Sequence, residues 1–332
     1  MQRNPGVLDR LKKIACSNRG IALLLVLWVL TVLMVIVLSF SLTTRSETLG
    51  TFFFKQGMEK MFLAEAGVQR GVMELFHRGV FRGRKEITPG NEVLRVDGTP
   101  YAGQMGNDYY VYRVLDESGK ININMLSDNS GLVLSNLLVN LGAPKEIADT
   151  IVDSILDWKD ADELHRLHGA ESDYYMSLPN PYRSKNGDFD TVEELLMVKG
   201  VTPEIFYGSN TRTGIFRFLT VYSKVGGINV NTAPREVLEA LPGMTPDAAG
   251  MVIVQRESAG PTTPPDLRAV LGERFTSLAP YIGASESDLY TIDSTGYKKG
   301  EKQGFAVRAT VSIAADGKYS YLYYKSPAGV RY

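Results

Sequence analysis

Residues 19–42 read RGIALLLVLWVLTVLMVIVLSFSL, and from Ile21 to Leu42 there are 22 residues without a charge. At 1.5 Å per residue such a run spans about 33 Å as a helix, enough to cross a ~30 Å hydrocarbon layer. Before it stand Arg3, Arg10, Lys12, Lys13 and Arg19 against Asp9, and just after it only Arg45, Lys55 and Lys60. That asymmetry predicts a cytoplasmic N-terminus and places everything after Leu42 on the far side. A cleavable secretory signal would have a shorter apolar core followed by small residues, whereas this core is long and runs into Ser39-Phe40-Ser41-Leu42. The remaining processing point is Arg19-Gly20, where a basic leader meets the apolar run directly and glycine offers no side chain to obstruct a peptidase at the cytoplasmic surface.

The amphipathic signal continues beyond the apolar run. Phe54, Met58, Met61, Glu65, Val68, Val72 and Leu75 recur at steps of four and three, which predicts one face of a helix extending to about residue 80. Residues 109–116 (YYVYRVLD) are aromatic and β-branched and read as a strand, as do 289–293, 305–313 and 319–325, the last two joined by an Asp316-Gly317 turn. Between these strands lies a region of helical periodicity, at 132–141, 145–158, 192–198, 234–241 and 247–256.

That region contains a repeat. Gly119-Lys120-Ile121-Asn122-Ile123-Asn124 recurs as Gly226-Gly227-Ile228-Asn229-Val230-Asn231, and each copy is followed by a helix, a glycine turn and a second helix, at Gly142 and at Gly243. Gly200-Val201-Thr202-Pro203 has the same grammar, and Thr191 with Glu194 predicts a capping box. The organisation expected is a leader over 1–20, a helix over 21–80 with its membrane span at 21–42, a β domain from 81–121 and 288–332, and an inserted all-α domain over 122–287. Its two helix-hairpin-helix (SAM-like) repeats fall at about 122–210 and 226–287. The fold class is α+β: a long N-terminal helix on an antiparallel sheet with helices inserted between its strands.

The chain has 332 residues with 36 Lys+Arg against 37 Asp+Glu, a net charge of −1, and one cysteine, Cys16, inside the expected leader. Near-neutral charge argues against a generic polyanion binder, and a mature chain without thiols excludes a disulfide framework and a thiol enzyme. Three histidines, no G-x-S-x-G and a failed P-loop at Ser118-Gly119-Lys120-Ile121 predict that the chain is not an enzyme. The turn Pro242-Gly243-Met244-Thr245-Pro246-Asp247 could grip phosphates through backbone N–H groups, but DNA-binding versions carry a second glycine and a cation where Thr245 and Asp247 stand. Residues 153–173 hold seven carboxylates and two bases, Lys159 and Arg166, a density that calls for solvent or a cation without matching an EF-hand loop. His165 and His168 lie beside them with no thiolate or third spaced histidine, and read as surface residues.

Several of these features together resemble one family, the K-type minor pseudopilins of bacterial type II secretion, a branch of the type IV pilin-like proteins. The resemblance rests on Arg19-Gly20-Ile21, on leucine rather than glutamate at Leu25, on Leu63-Ala64-Glu65-Ala66-Gly67-Val68 and on the Asn-flanked repeats. It also covers Asp157-Trp158 with Asp160-Ala161-Asp162, Asp173-Tyr174-Tyr175 and Asn231-Thr232-Ala233-Pro234. It implies cleavage by prepilin peptidase between Gly20 and Ile21, methylation of the new amine, and a tip position marked by Leu25. It also implies calcium in the α domain, with Asp157, Asp160, Asp162, Glu171 and Asp173 as the candidate ligands. The implied partners are I- and J-type minor pseudopilins, the major pseudopilin, prepilin peptidase and inner-membrane lipid, with no nucleic acid, while the secreted substrate and the outer-membrane secretin are further candidates. The implied location is the inner membrane with the bulk of the chain periplasmic. Two other readings stay open on the residues, a membrane-anchored periplasmic DNA binder and a minor pilin of type IV pili.

Overall fold

The computed structural model describes residues 18–81, 85–88, 91–209, 211–223, 226–260, 262–314 and 316–328. The expected leader residues 1–17 lie outside these. Helix α1 runs over Asn18–Val80. The chain divides into one unit ending at Glu59 and a second from Lys60 to Tyr332. In the first unit, the stretch from Ile21 carries an apolar window of mean hydropathy 3.3 with none of it buried.

The second unit is built on a five-stranded sheet of β1 (Asp97–Met105), β2 (Asp108–Asp116), β3 (Leu289–Tyr297), β4 (Phe305–Ile313) and β5 (Tyr319–Lys325). The strands lie in the order β5-β4-β3-β2-β1, and every neighbouring pair is antiparallel. Strands β2 and β3 pair from Tyr109↔Tyr297 to Asp116↔Tyr290 although more than 170 residues separate them. The helical region is therefore an insertion into a single β-hairpin.

One face of the sheet receives the end of α1. Ala64, Val68, Val72 and Leu75 bury against Tyr112, Val114, Ile292, Val307 and Ala309. The fit is close because Gly67 sits on Ser294 and Gly71 on Ile292, and a Cβ at Gly67 would collide with the Ser294 hydroxyl. Of the stripe expected from periodicity, Val68, Val72 and Leu75 are buried, Glu65 lies at the margin accepting a hydrogen bond from Tyr324 Oη at 3.1 Å, and Phe54 is exposed.

The inserted region has an apolar core of its own, in which Leu134, Leu137, Ile151, Ile155, Leu195 and Leu238 are fully buried. Its helices are α2 (Gly131–Asn140), α3 (Lys145–Lys159), α4 (Ser172–Met176), α5 (Pro203–Tyr207), α6 (Arg235–Glu239), α7 (Pro246–Ala259), α8 (Pro264–Leu271) and α9 (Arg274–Leu278). The three glycine turns share one left-handed backbone: φ is +89° at Gly142, +85° at Gly200 and +84° at Gly243, a conformation that costs other residues a Cβ clash.

The sequence repeat is a structural duplication. Asn122 and Asn229 each accept a hydrogen bond from the amide two residues on, and the next asparagine clamps a distant backbone through both amide atoms. Asn124 pairs with Phe189 N and O at 2.8 and 2.9 Å, and Asn231 with Thr262 N and O at 2.7 and 3.0 Å. Each Asn strand also pairs in parallel with a later one, Ile121 with Leu219 and Ile228 with Ile282. A cation near the end of the second helix then closes each copy. Lys159 Nζ donates to the carbonyls of Ile123, Asn124 and Leu126 at 2.9–3.1 Å, and Arg256 Nη1 to those of Val230 and Ala233 at 2.8–2.9 Å.

The chain leaves and re-enters the sheet through a polar neck. The buried Asp116 carboxylate accepts hydrogen bonds from Ser118 N and Oγ at 2.9 and 2.6 Å, from Ser287 N and Oγ, and from Asn229 Nδ2 at 3.3 Å. Arg78, in the last turn of α1, grips Glu286 with two hydrogen bonds of 2.9 Å, fixing the neck to the helix on the sheet.

Candidate functional site

Helix α3 ends in an acidic corner. Asp157 lies in its last turn and Asp160 is its C-cap, so both carboxylates meet the negative end of the helix dipole, an unfavourable position that asks for a cation. Glu171 arrives as the N-cap residue of α4. One carboxylate oxygen from each of Asp157, Asp160 and Glu171 falls within 4.8 Å of the others. Asp157 and Glu171 are almost wholly buried, beside a wall in which the rings of Trp158, Tyr175, Tyr182 and Phe189 stack or meet edge to face.

The cation supplied by the chain is Arg166, whose Nη1 donates to Asp157 Oδ1 at 2.7 Å and Asp160 Oδ2 at 2.6 Å, while its Nε reaches Asp128 at 3.2 Å. It leaves two acceptors unmatched. Glu171 Oε1 and Asp160 Oδ1 are buried with no hydrogen-bond partner among the described residues. Burial, followed by the charges of Asp157, Asp160 and Glu163, pushes the Glu171 carboxyl up to about 7. A lone pair without a donor on a buried carboxylate beside two others suits a hard divalent cation with oxygen ligands. Gly169 makes the approach possible, since a Cβ there would collide with Asp157 Oδ2.

Of the five candidate ligands, the structure brings three together and sets two apart. Asp162 Oδ1 accepts from Leu164 N at 2.8 Å, and the exposed Asp173 accepts from Tyr174 N at 2.6 Å and meets His165 Nε2 at 3.0 Å. Charge density alone could not show that Glu163 is the loop's organiser, accepting from Ser172 N and Oγ and from Asn186 Nδ2 at 3.1–3.2 Å. Gly20 and Ile21 lie in the first turns of α1; Ile21 and Leu25 are both exposed.

The three glycine turns share a further property. The helix that follows each carries an acid in its first turn, Glu146, Glu204 and Asp247. These complement the helix dipole and would repel a nucleic-acid phosphate from the amides a DNA-binding turn must offer.

With this architecture, comparison with known proteins becomes specific. Residues 119–208 match the first-domain model of the family described as type II secretion system, protein K, and residues 228–274 match the family's other model. Over these two stretches the chain is similar to the type II secretion protein K family. A putative type II secretion system protein K of Escherichia coli K12 is 27% identical over 197 residues, covering 57% of this chain and 60% of that protein. The type II secretion system protein K of Pectobacterium carotovorum is 28% identical over 204 residues with the same coverage, so the chain matches about 60% of the length of these two K proteins. That of Pseudomonas aeruginosa is 28% identical over 260 residues, 74% of each chain. Among solved structures, a chain of the GspK-GspI-GspJ complex of enterotoxigenic Escherichia coli superposes with a TM-score of 0.59 at 14% identity, over 84% of this chain and 99% of that one. This likeness is one of fold, over most of both chains.

Proposed function

We propose that the chain is a minor pseudopilin placed at the tip of a type II secretion pseudopilus, where it helps initiate assembly and takes part in no catalysis. The observation that carries this reading is the insertion of the whole helical region between two adjacent strands of a sheet backed by an apolar N-terminal helix. In a helical fibre of subunits joined through such helices, so large a side body clashes with neighbours along the shaft and is accommodated at the end. The solved relative's complex holds GspK with GspI and GspJ. The corresponding I- and J-type subunits are the partners proposed here, with the major pseudopilin following. The apolar stretch beginning at Ile21 is the proposed inner-membrane anchor, with the sheet and helical region in the periplasm.

Processing at Gly20-Ile21 tests the anchor. Gly20→Trp should leave the leader uncut and the precursor longer on a gel, and a wild-type protein that still begins at Met1 in the membrane would contradict the assignment. Leu25 tests the tip position. In a subunit with none ahead of it, a glutamate at this depth would have no amine to neutralise, and an unpaired carboxylate in hydrocarbon costs on the order of 3 kcal/mol. Leu25→Glu should therefore lower secretion and tip assembly without lowering the amount of protein; unchanged or raised secretion would count against it.

Calcium is the proposed cofactor, held by Asp157, Asp160 and Glu171. The support is the pair of unmatched buried carboxylate oxygens and the charge that Arg166 leaves uncompensated. When bound, a divalent cation supplies positive charge at the end of α3 and cross-links it to α4. Arg166 keeps its hold on Asp128 and orients the loop.

A further inference from the structure

The sheet face turned away from α1 is charged. Because side chains alternate along a strand, Arg113, Asp293 and Arg308 stand next to one another in register across β2, β3 and β4, opposite in direction to the buried Tyr112, Val114 and Ile292. Between this face and the helical insertion is a cavity of about 620 Å³, within the ~300–1,000 Å³ usual for ligand sites. Its sheet wall contributes Arg113, Lys120 and Arg308, and its helical wall Arg212, Arg217, Arg235 and Arg256. Facing these seven cations are the carboxylates of Asp97, Glu236 and Asp293, with Glu117 and Glu239 paired to Lys120 and Arg235 from beside the cavity, leaving an excess of two positive charges in a chain whose net charge is −1.

Part of this charge is already committed. Arg308 holds Asp293 through Nε and Nη2 at 2.5 and 2.7 Å, and Lys120 pairs with Glu117. Arg212 and Arg217 are different: both are exposed, and neither makes an ion pair among the described residues. Arg256, whose side chain is nine-tenths buried, is partly committed, with Nη1 donating to Val230 and Ala233 and Nη2 lying 3.8 Å from Asp97, while its Nε has no hydrogen-bond partner among the described residues. The rings of Tyr207, Phe216 and Phe218 also line the space.

We propose that this cavity binds an acidic peptide segment, presenting two or more separated carboxylates to Arg212, Arg217 and the buried Arg256. Six of the seven cations are arginines, whose planar fork suits a carboxylate, and the Arg308–Asp293 pair shows that recognition already made inside the cavity. The cations are spread over two walls, which fits carboxylates spaced along a chain better than one compact anion, and the rings offer apolar surface to the methylenes between them. The inference is independent of the pseudopilus reading, since it concerns binding by this chain alone.

The test uses the full chain in non-ionic detergent and a fluorophore-labelled peptide, acetyl-Glu-Gly-Glu-Gly-Glu-amide, followed by anisotropy. Binding should saturate at about 50 mM salt and weaken about tenfold or more at about 300 mM, as screening closes on exposed pairs. The double variant Arg212→Glu/Arg217→Glu should weaken it at least about tenfold, Arg212→Ala/Arg217→Ala by an intermediate factor with the melting temperature unchanged, and Lys318→Glu on the β4–β5 turn, which changes the net charge by as much as the alanine pair does, by less than about twofold. Unlabelled peptide should displace the probe at lower concentration than tripolyphosphate does. No saturable binding, an equal loss in Lys318→Glu, an unaffected alanine double variant, or displacement by tripolyphosphate at the lower concentration would each overturn the assignment, the last by making this a phosphate site.

Discussion

Asp116→Ala should destabilise the unit from Lys60 onward by on the order of 4 kcal/mol, because it strips the acceptor from five donors converging on one buried carboxylate. Those donors come from both sides of the neck and from the second Asn repeat, so the loss falls where the sheet and the insertion are joined. Burial pushes the Asp116 carboxyl up, against the hydrogen bonds from Ser118 and Ser287 that draw it down. The geometry of acceptance therefore matters more than its charge. Asp116→Asn keeps the shape and one acceptor oxygen and should lose roughly half as much. Urea unfolding of the fragment beginning at Lys60 measures both; an alanine variant within about 1 kcal/mol of wild type would show that the neck does not hold the two parts together.

The second large effect is a dependence of stability on pH in protein stripped of divalent ions. Glu171 has its folded-state pKa raised to about 7, well above its ordinary 4.5. Between those values the folded chain keeps a proton that the unfolded chain gives up, so stability falls as pH rises through this window and the cost is complete above about 7. The shift corresponds to on the order of 3 kcal/mol. Glu171→Gln removes the ionisation while preserving shape, and should flatten the curve between pH 4.5 and 7. Calcium added to the wild type at pH 7.5 should restore the lost stability, by about 2.7 kcal/mol at a hundredfold excess over Kd, and should do nothing for Glu171→Gln. A wild-type curve already flat across that range, or equal melting temperatures with calcium and with chelator, would dismiss the cation site.

What the sequence made legible follows from the range over which each signal acts. Strand β4 has an alternating stretch with both faces covered, and its expected bounds of 305–313 agree with Phe305–Ile313. Strand β1 left no such signal: Gly98, Pro100 and Gly103 lower its strand propensity, and it is an edge strand held by pairing with β2 alone. Helices α4, α5 and α9 are five residues each, too short to show a period and formed by the packing around them. The Asn repeat was visible because both its members are local. Its closing cations were not, since Lys159 and Arg256 stand at different separations from the carbonyls they cap.

The site shows the same division. Seven carboxylates within 21 residues advertised a cation need, but spacing could not say that Asp162 would spend its oxygen on the Leu164 amide or Asp173 on Tyr174. Glu171 is selected by tertiary structure, through its burial beside Asp157.

The central claim, a tip subunit of a pseudopilus, is tested most directly by recovering this chain from native membranes through an affinity tag after mild cross-linking and counting what accompanies it. The account predicts I- and J-type minor pseudopilins in one-to-one ratio with this chain, and loss of that association when the helix beginning at Ile21 is deleted. Recovery of the chain in numbers comparable to the major pseudopilin, repeated along the shaft, would contradict it.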